Sequence, residues 1–169
     1  KLKDCTFNPM QDAPFKIYNA SAGSGKTFSL VRDYLSLLFS AKKTDAFRSI
    51  LAITFTNKAV AEMKSRIVEN LIAFSKDNTQ DDYLAMLNAV ANSTNISQNL
   101  IKTRSVILLK KLIHNYAAFE ISTIDGFTHR VLRTFAKDLG LPSNFEVTMQ
   151  VDDILHEAVD KLIAKAGED

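Results

Sequence analysis

Ala20-Ser21-Ala22-Gly23-Ser24-Gly25-Lys26-Thr27 is the stretch whose reading decides the fold of this chain. It meets the pattern G-x-x-x-x-G-K-[ST] at every fixed position except the first, where Ala stands for Gly. Small residues let the backbone wrap closely enough for several N–H groups to face phosphate oxygens. Lys26 offers a compact charge for β and γ phosphates, and the Thr27 hydroxyl can ligate Mg²⁺, which makes these two the candidate catalytic residues. The context this chemistry requires is present on both sides. Residues 15–19 (FKIYN) read as a short buried strand, and after Lys26 the residues Leu30, Val31, Tyr34, Leu35 and Leu38 fall at helical spacing. A helix opening near Lys26 adds the positive end of its dipole to the same spot. A bare glycine-rich turn would leave Gly-Lys-Thr at the helix start unexplained. The expectation is a P-loop that binds ATP with Mg²⁺ through Ala20, Ser21, Ala22, Gly23, Ser24, Gly25, Lys26 and Thr27.

Working outward, residues 1–14 read as a lead-in. Residues 49–55 (SILAITF) are the strongest strand signal, too short and too continuous for an amphipathic helix. Residues 57 to about 74 put Val60, Met63, Ile67, Leu71 and Phe74 on one helical face. Strand, loop, helix, strand, helix is the grammar of a parallel α/β structure. Polar breaks at 75–80 and 92–98 then flank two helical patterns, one on Tyr83, Leu84, Leu87 and Val90, the other on Leu100, Ile101, Ile107, Leu108, Leu112 and Tyr116. Residues 120–124 return to strand, Asp125 and Gly126 turn, and 128–138 form a helix with Val131, Leu132 and Phe135 inward. Gly140-Leu141-Pro142 breaks the chain, and 152–166 form a last amphipathic helix on Ile154, Leu155, Val159, Leu162 and Ile163.

With 46% hydrophobic and 24% charged residues, the 169-residue chain has an ordinary globular composition. A formal net charge of +2 neither announces nor excludes nucleic acid, which needs a local basic face. The single cysteine, Cys5, makes no internal disulfide, so a reducing, cytoplasmic setting is expected. No apolar run approaches the roughly 18 residues of a membrane span, so no membrane partner is expected. His114, His129 and His156 are scattered without metal spacing, and Lys42-Lys43 and Lys110-Lys111 read as solvated faces. Gln11 precedes the phosphate loop at a spacing short for an adenine reader. Arg130 and Arg133 lie one helical turn apart, where both could face a strand backbone.

The second strand ends in Thr54-Phe55-Thr56-Asn57-Lys58, hydroxyls, a ring, an amide and a lysine at a helix start. Such groups suit phosphate contact and base stacking, and they equally suit a Thr/Asn helix cap beside a solvated lysine. The whole stretch ILAITFTNKAVAEMKSRI (residues 50–67) resembles motif Ia of the superfamily 1 DNA helicases of the UvrD/Rep/PcrA and RecB/AddA type. The phosphate loop resembles that family's loop, in which Ala at the first position is familiar. Ile121-Ser122-Thr123-Ile124-Asp125-Gly126-Phe127, with His129-Arg130-Val131-Leu132-Arg133, resembles the next DNA-contacting motif. Residues 141–166 resemble the connector and first helix of the family's helical insertion domain, whereas 75–118 resemble nothing recognised. The finer likeness is to the RecB/AddA branch.

The resemblance implies an α/β fold, a P-loop NTPase (RecA-like) parallel sheet, incomplete and with helical insertions. It implies residues 1–139 as the amino-terminal part of the first motor domain, with a helical insertion at about 75–118, and residues 140–169 as the start of the insertion domain. The implied activity is ATP-dependent DNA unwinding and single-strand translocation of the repair and recombination type, with DNA, preferentially single-stranded, as partner. A nuclease or helicase partner subunit of the longer protein is also implied. Thr54, Phe55, Thr56, Asn57, Lys58 and Thr123 become the DNA-contact candidates. The family's histidine is Asp125 here, and an Asp repels phosphate, so Asp125 is expected to cap the following helix or bond to backbone. The family's Walker B acids, later glutamine and γ-phosphate arginine find no match. Residues 121–125 fit the DNA motif better than Walker B, and 147–153 carry Gln150 inside the supposed strand. This chain alone is therefore expected to be inactive. The rivals are a small P-loop kinase or unrelated NTPase, and a nucleotide-binding module that does not hydrolyse.

Overall fold

Apolar periodicity sets the helices. The computed structural model describes residues 25–76, 81–142, 145 and 151–166. Helix α1 spans Lys26–Ser40 and buries Val31, Tyr34, Leu35, Leu38 and Phe39 on one stripe. Helix α2, Asn57–Phe74, turns Met63, Ile67, Leu71 and Phe74 inward, the stripe expected from spacing. Two further helices, α3 (Asp81–Thr94) and α4 (Gln98–His114), follow. Asn95 takes a left-handed φ of 55° between them, a conformation Asn tolerates better than most residues. Ser97 caps α4 by accepting from Leu100 N–H at 3.4 Å.

The four helices share one core. Helix α3 lies against α1 and α4 against α2, with Met86, Leu87, Val90, Ile101, Leu108 and Leu112 buried among the α1 and α2 side chains. The Ser36 and Ser93 hydroxyls meet at 2.6 Å between α1 and α3. Arg104 of α4 donates from Nη1 to Phe39 O at 2.6 Å and from Nη2 to Ala41 O at 2.5 Å, satisfying carbonyls that the end of α1 leaves without helical partners. Lys111, read from sequence as part of a solvated face, is exposed and donates to Thr44 Oγ1 at 2.5 Å. Leu100 and Ile107, grouped with the apolar pattern of α4, are exposed.

Two strands, β1 (Ala52–Thr54) and β2 (Ile121–Thr123), pair in a parallel sheet, with Ala52 N–H bonded to Glu120 O at 3.1 Å. Both are shorter than expected. Of the 49–55 run only Ala52–Thr54 is strand; Ser49 closes a 3-10 turn, Ala46–Ser49, in which Phe47 is buried. Strand β2 stops at Thr123 because that residue caps the next helix. Its Oγ1 accepts from Gly126 N–H at 3.1 Å, and α5 therefore runs Ile124–Thr134. Asp125 and Gly126, expected in a turn, lie in the first turn of α5. A Cβ on Gly126 would sit 3.1 Å from Thr123 Oγ1, so glycine permits the close approach.

The chain divides after Ile121 into two compact units. In the second, α5 ends four residues before the expected 138. The segment after it closes in a left-handed glycine cap: Gly140 has φ 69°, and Leu141 N–H reaches Ala136 O at 2.8 Å. Val131 and Phe135, expected inward, are exposed, and Ala136 is buried instead. Helix α6, Val151–Lys165, exposes Ile154, Leu155, Val159, Leu162 and Ile163. No helix among the described residues is long and apolar enough to cross a membrane.

Candidate functional site

The candidate residues collect at helix starts that follow strands or glycine. Of the phosphate loop, Ala20 to Ser24 lie outside the described residues, as do Gln11 and the strand expected at 15–19. What is described is its exit. Gly25 is the N-cap of α1 in the left-handed region, φ 76° and ψ 21°, and Ser29 N–H bonds to its carbonyl at 3.0 Å. Nothing lies within 4 Å of where a Cβ would be. Lys26 opens the helix exposed, Thr27 is half-buried, and the first turn carries no acidic residue. The amino end of a helix offers N–H groups and the positive end of its dipole to an anion, and the first turn of α1 holds no acid to oppose one. The donor set fits a phosphate, with Lys26 beside it and the Thr27 hydroxyl as an oxygen ligand for a hard cation.

At the end of β1 the backbone turns into α2. Thr54 Oγ1 donates to Thr56 O at 3.2 Å, and Thr56 Oγ1 accepts from Ala59 N–H at 3.2 Å, so Thr56 caps α2. Phe55 is held between these two anchored residues, yet 85% exposed. Asn57 and Lys58 are exposed on the first turn, which has no acidic residue. An apolar ring left in solvent at a strand end, flanked by an amide and a lysine, can stack on a base while the helix end takes a phosphate. Thr54, Phe55, Thr56, Asn57 and Lys58 are thus brought together in one turn of chain.

Thr123 stands at the corresponding end of β2 as the cap of α5. The cap there is Thr123 rather than Asp125, because a side chain bonding the N–H three residues ahead must leave from the residue before the helix. Asp125 is exposed in the first turn. Asp152 lies in α6, not at a strand end, which agrees with rejecting 147–153 as a Walker B strand. The histidines serve locally: His114 Nδ1 sits 2.7 Å from Lys110 O, His156 Nδ1 2.7 Å from Asp152 O, and His129 meets Phe145 edge to face. Among the described residues no group of three or more His, Cys, Asp or Glu side chains is placed to hold a metal ion.

One feature near the β1–α2 turn escaped sequence reading. Lys64 Nζ lies 5.3 Å from the centre of the Tyr116 ring and 5.8 Å from that of Phe119. Lys64, Tyr116 and Asn57 border a cleft along α2. The signal available was the Asn57-to-Lys64 spacing of two helical turns, but nothing local pointed to Tyr116.

The UvrD/REP helicase N-terminal domain family matches residues 9–169. The RecBCD enzyme subunit RecB of Haemophilus influenzae is 30% identical over 153 residues, 82% of this chain and 12% of that protein. RecB of Escherichia coli is 31% identical over 137 residues, 75% of this chain and 11% of that protein. An ATP-dependent helicase/nuclease subunit of Thermoanaerobacter sp. is 38% identical over 78 residues, 46% of this chain and 6% of that protein. No solved structure matches. The chain thus spans about an eighth or less of the length of these relatives. The turns at Lys26, Thr56 and Thr123 fall within a match that runs nearly end to end, and the chain belongs to the UvrD/REP helicase N-terminal domain family.

Proposed function

We propose that this chain is the ATP- and DNA-binding segment of an ATP-dependent DNA helicase acting in repair or recombination. In this reading residues 1–139 belong to a RecA-like P-loop motor domain, with 75–118 inserted in it and 140–169 leading into a helical insertion domain. Residues 20–27 hold ATP, with Lys26 on the β and γ phosphates and Thr27 on Mg²⁺. The metal, when bound, neutralises charge on the transferred phosphoryl group. Thr54, Phe55, Thr56, Asn57, Lys58 and Thr123 grip single-stranded DNA, and the work is done in the cytoplasm. As in relatives named as enzyme or helicase/nuclease subunits, a partner subunit or nuclease module would complete the machine.

The observation that carries the nucleotide reading is the start of α1. Lys26 opens a helix directly after a left-handed glycine, at a first turn free of acids. By itself this chain hydrolyses ATP slowly, because no residue in it is assigned to orient water or to bring positive charge to the γ phosphate. An arginine in that role contributes about 10³–10⁵ in rate. Calorimetric titration with Mg-ADP, beside a Lys26→Ala variant, tests the site. Loss of heat in the variant is expected, and equal affinity in both proteins would remove the loop from the mechanism.

A further inference from the structure

We propose that the cleft along α2, between Lys64 and Tyr116, is a second contact region for single-stranded DNA, continuing the strand path from the β1–α2 turn. The inference rests on the DNA reading above and names residues that reading does not contain.

The cleft has a volume of about 490 Å³ and is lined along α2 from Asn57 to Glu69, with Tyr116 facing Lys64 across it. Tyr116 belongs to the 3-10 turn Tyr116–Ala118 and leaves about half of its surface in solvent. Its edge-to-face partner Phe119, at 5.8 Å, is fully buried and anchors the ring to the core. The result is a half-exposed aromatic surface on a rigid support, with an ammonium group at its face. Aromatic platforms that alternate with positive charge are how proteins hold single strands without reading sequence. The distance is also suitable. Asn57 and Lys64 are two turns apart on α2, about 10 Å along its axis, close to the span of three stacked nucleotides at about 3.4 Å each.

Charge favours this occupant over an acidic or neutral one. The amino end of α2 carries Lys58 and no acid in its first turn, and Lys64 stands midway along the cleft. Glu69 lines the far end and opposes a phosphate there, so the path would leave the cleft at Tyr116 rather than follow α2 further. A strand whose base stacks on Phe55 would then place a phosphate near Lys64 and a later base against Tyr116.

The test uses the intact protein and fluorescence anisotropy with oligothymidylates of about 4 and about 16 nucleotides. Tyr116→Leu keeps an apolar side chain against Phe119, and it is expected to weaken the long strand about tenfold and the short one, which ends near Lys64, by less. Tyr116→Phe should bind as the parent does. Lys64→Gln should reduce the salt slope for the long strand by about 0.7, one phosphate contact. Iodouracil placed along the long strand should cross-link to Tyr116. If Tyr116→Leu binds the long strand as the parent does while Phe55→Ala weakens both lengths, the cleft is not on the path and the strand-end site stands. If Phe55→Ala is also without effect, the underlying DNA reading fails with it. Equal losses in the Phe and Leu variants would assign the effect to the hydroxyl and overturn stacking.

Discussion

Replacing Arg104 by Met tests whether α3 and α4 are part of the structure that supports the phosphate loop or an attachment to it. The guanidinium donates to Phe39 O at 2.6 Å and to Ala41 O at 2.5 Å, at the end of α1 opposite Lys26. A hydrogen bond from a charged donor contributes about 1.5–3 kcal/mol net. The residue is only half-buried, so the lower end applies to each bond, and two give about 3 kcal/mol. The favourable charge at a helix carboxyl end, about 0.3–1 kcal/mol, is contained in that figure because it acts through the same carbonyls. Arg104→Met keeps the apolar stem and removes the fork, and Arg104→Lys keeps the charge with a single reach, so about half the loss is expected. In urea denaturation at m of about 2 kcal/mol/M, the Met variant should lower the midpoint by about 1.5 M without changing the slope. Arg48→Met, at an exposed position in the 3-10 turn, is the control and should stay within about 0.5 kcal/mol. A loss for Arg104→Met no larger than that of the control would refute the reasoning. It would mean that water replaces the guanidinium at these carbonyls without cost.

Tyr34 is buried, and its hydroxyl has no hydrogen-bond partner among the described residues, with burial pushing its pKa well above the ordinary phenol value. Tyr34→Phe should therefore stabilise the protein by about 1 kcal/mol, seen as a higher thermal midpoint, and destabilisation would contradict an unsatisfied hydroxyl. Asp125 is an exposed acid in the first turn of α5, beside the DNA candidate Thr123. Asp125→Asn is expected to raise affinity for oligothymidylate about threefold at low salt, with the gain shrinking as salt screens it. Unchanged binding at low salt would show that no phosphate passes this turn.

The helices were legible because each is an apolar stripe at a period the sequence displays without tertiary help. Helix α2 is the clearest case, with every predicted face residue from Met63 to Phe74 buried. Strand ends were less legible, since each is decided by a competing local event. Phe47 enters the core through a 3-10 turn that reaches Ser49, the first residue of the run that reads as strand. Thr123 Oγ1 accepts from Gly126 N–H and starts α5 at Ile124, where the strand ends. The outward positions of Val131 and Phe135 show the limit of periodicity, which identifies a face and not what covers it. For the site, the turn around Phe55 was legible because its residues are consecutive. Tyr116 was not, because its meeting with Lys64 requires α2 to pack beside a turn far along the chain. Arg104 gave no signal, since its acceptors are backbone carbonyls that any sequence would supply.

Helix capping and DNA contact at Thr56 and Thr123 are compatible rather than competing readings. Each residue has extended backbone angles, stands at or just past a strand end, and accepts from the N–H three residues ahead at 3.2 and 3.1 Å. A hydroxyl has one proton and two lone pairs, so a capping bond that uses one lone pair leaves the proton to donate to a phosphate oxygen. The cap also fixes the side chain in advance, which removes part of the entropy cost of gripping a ligand. The two turns nevertheless differ electrostatically. Lys58 follows Thr56 with no acid in the turn, whereas Asp125 follows Thr123. On equal capping geometry, the β1–α2 turn is the better place for a phosphate. Thr123 is suited to a neutral part of the strand, a sugar or a base edge, where a nearby carboxylate does not oppose contact.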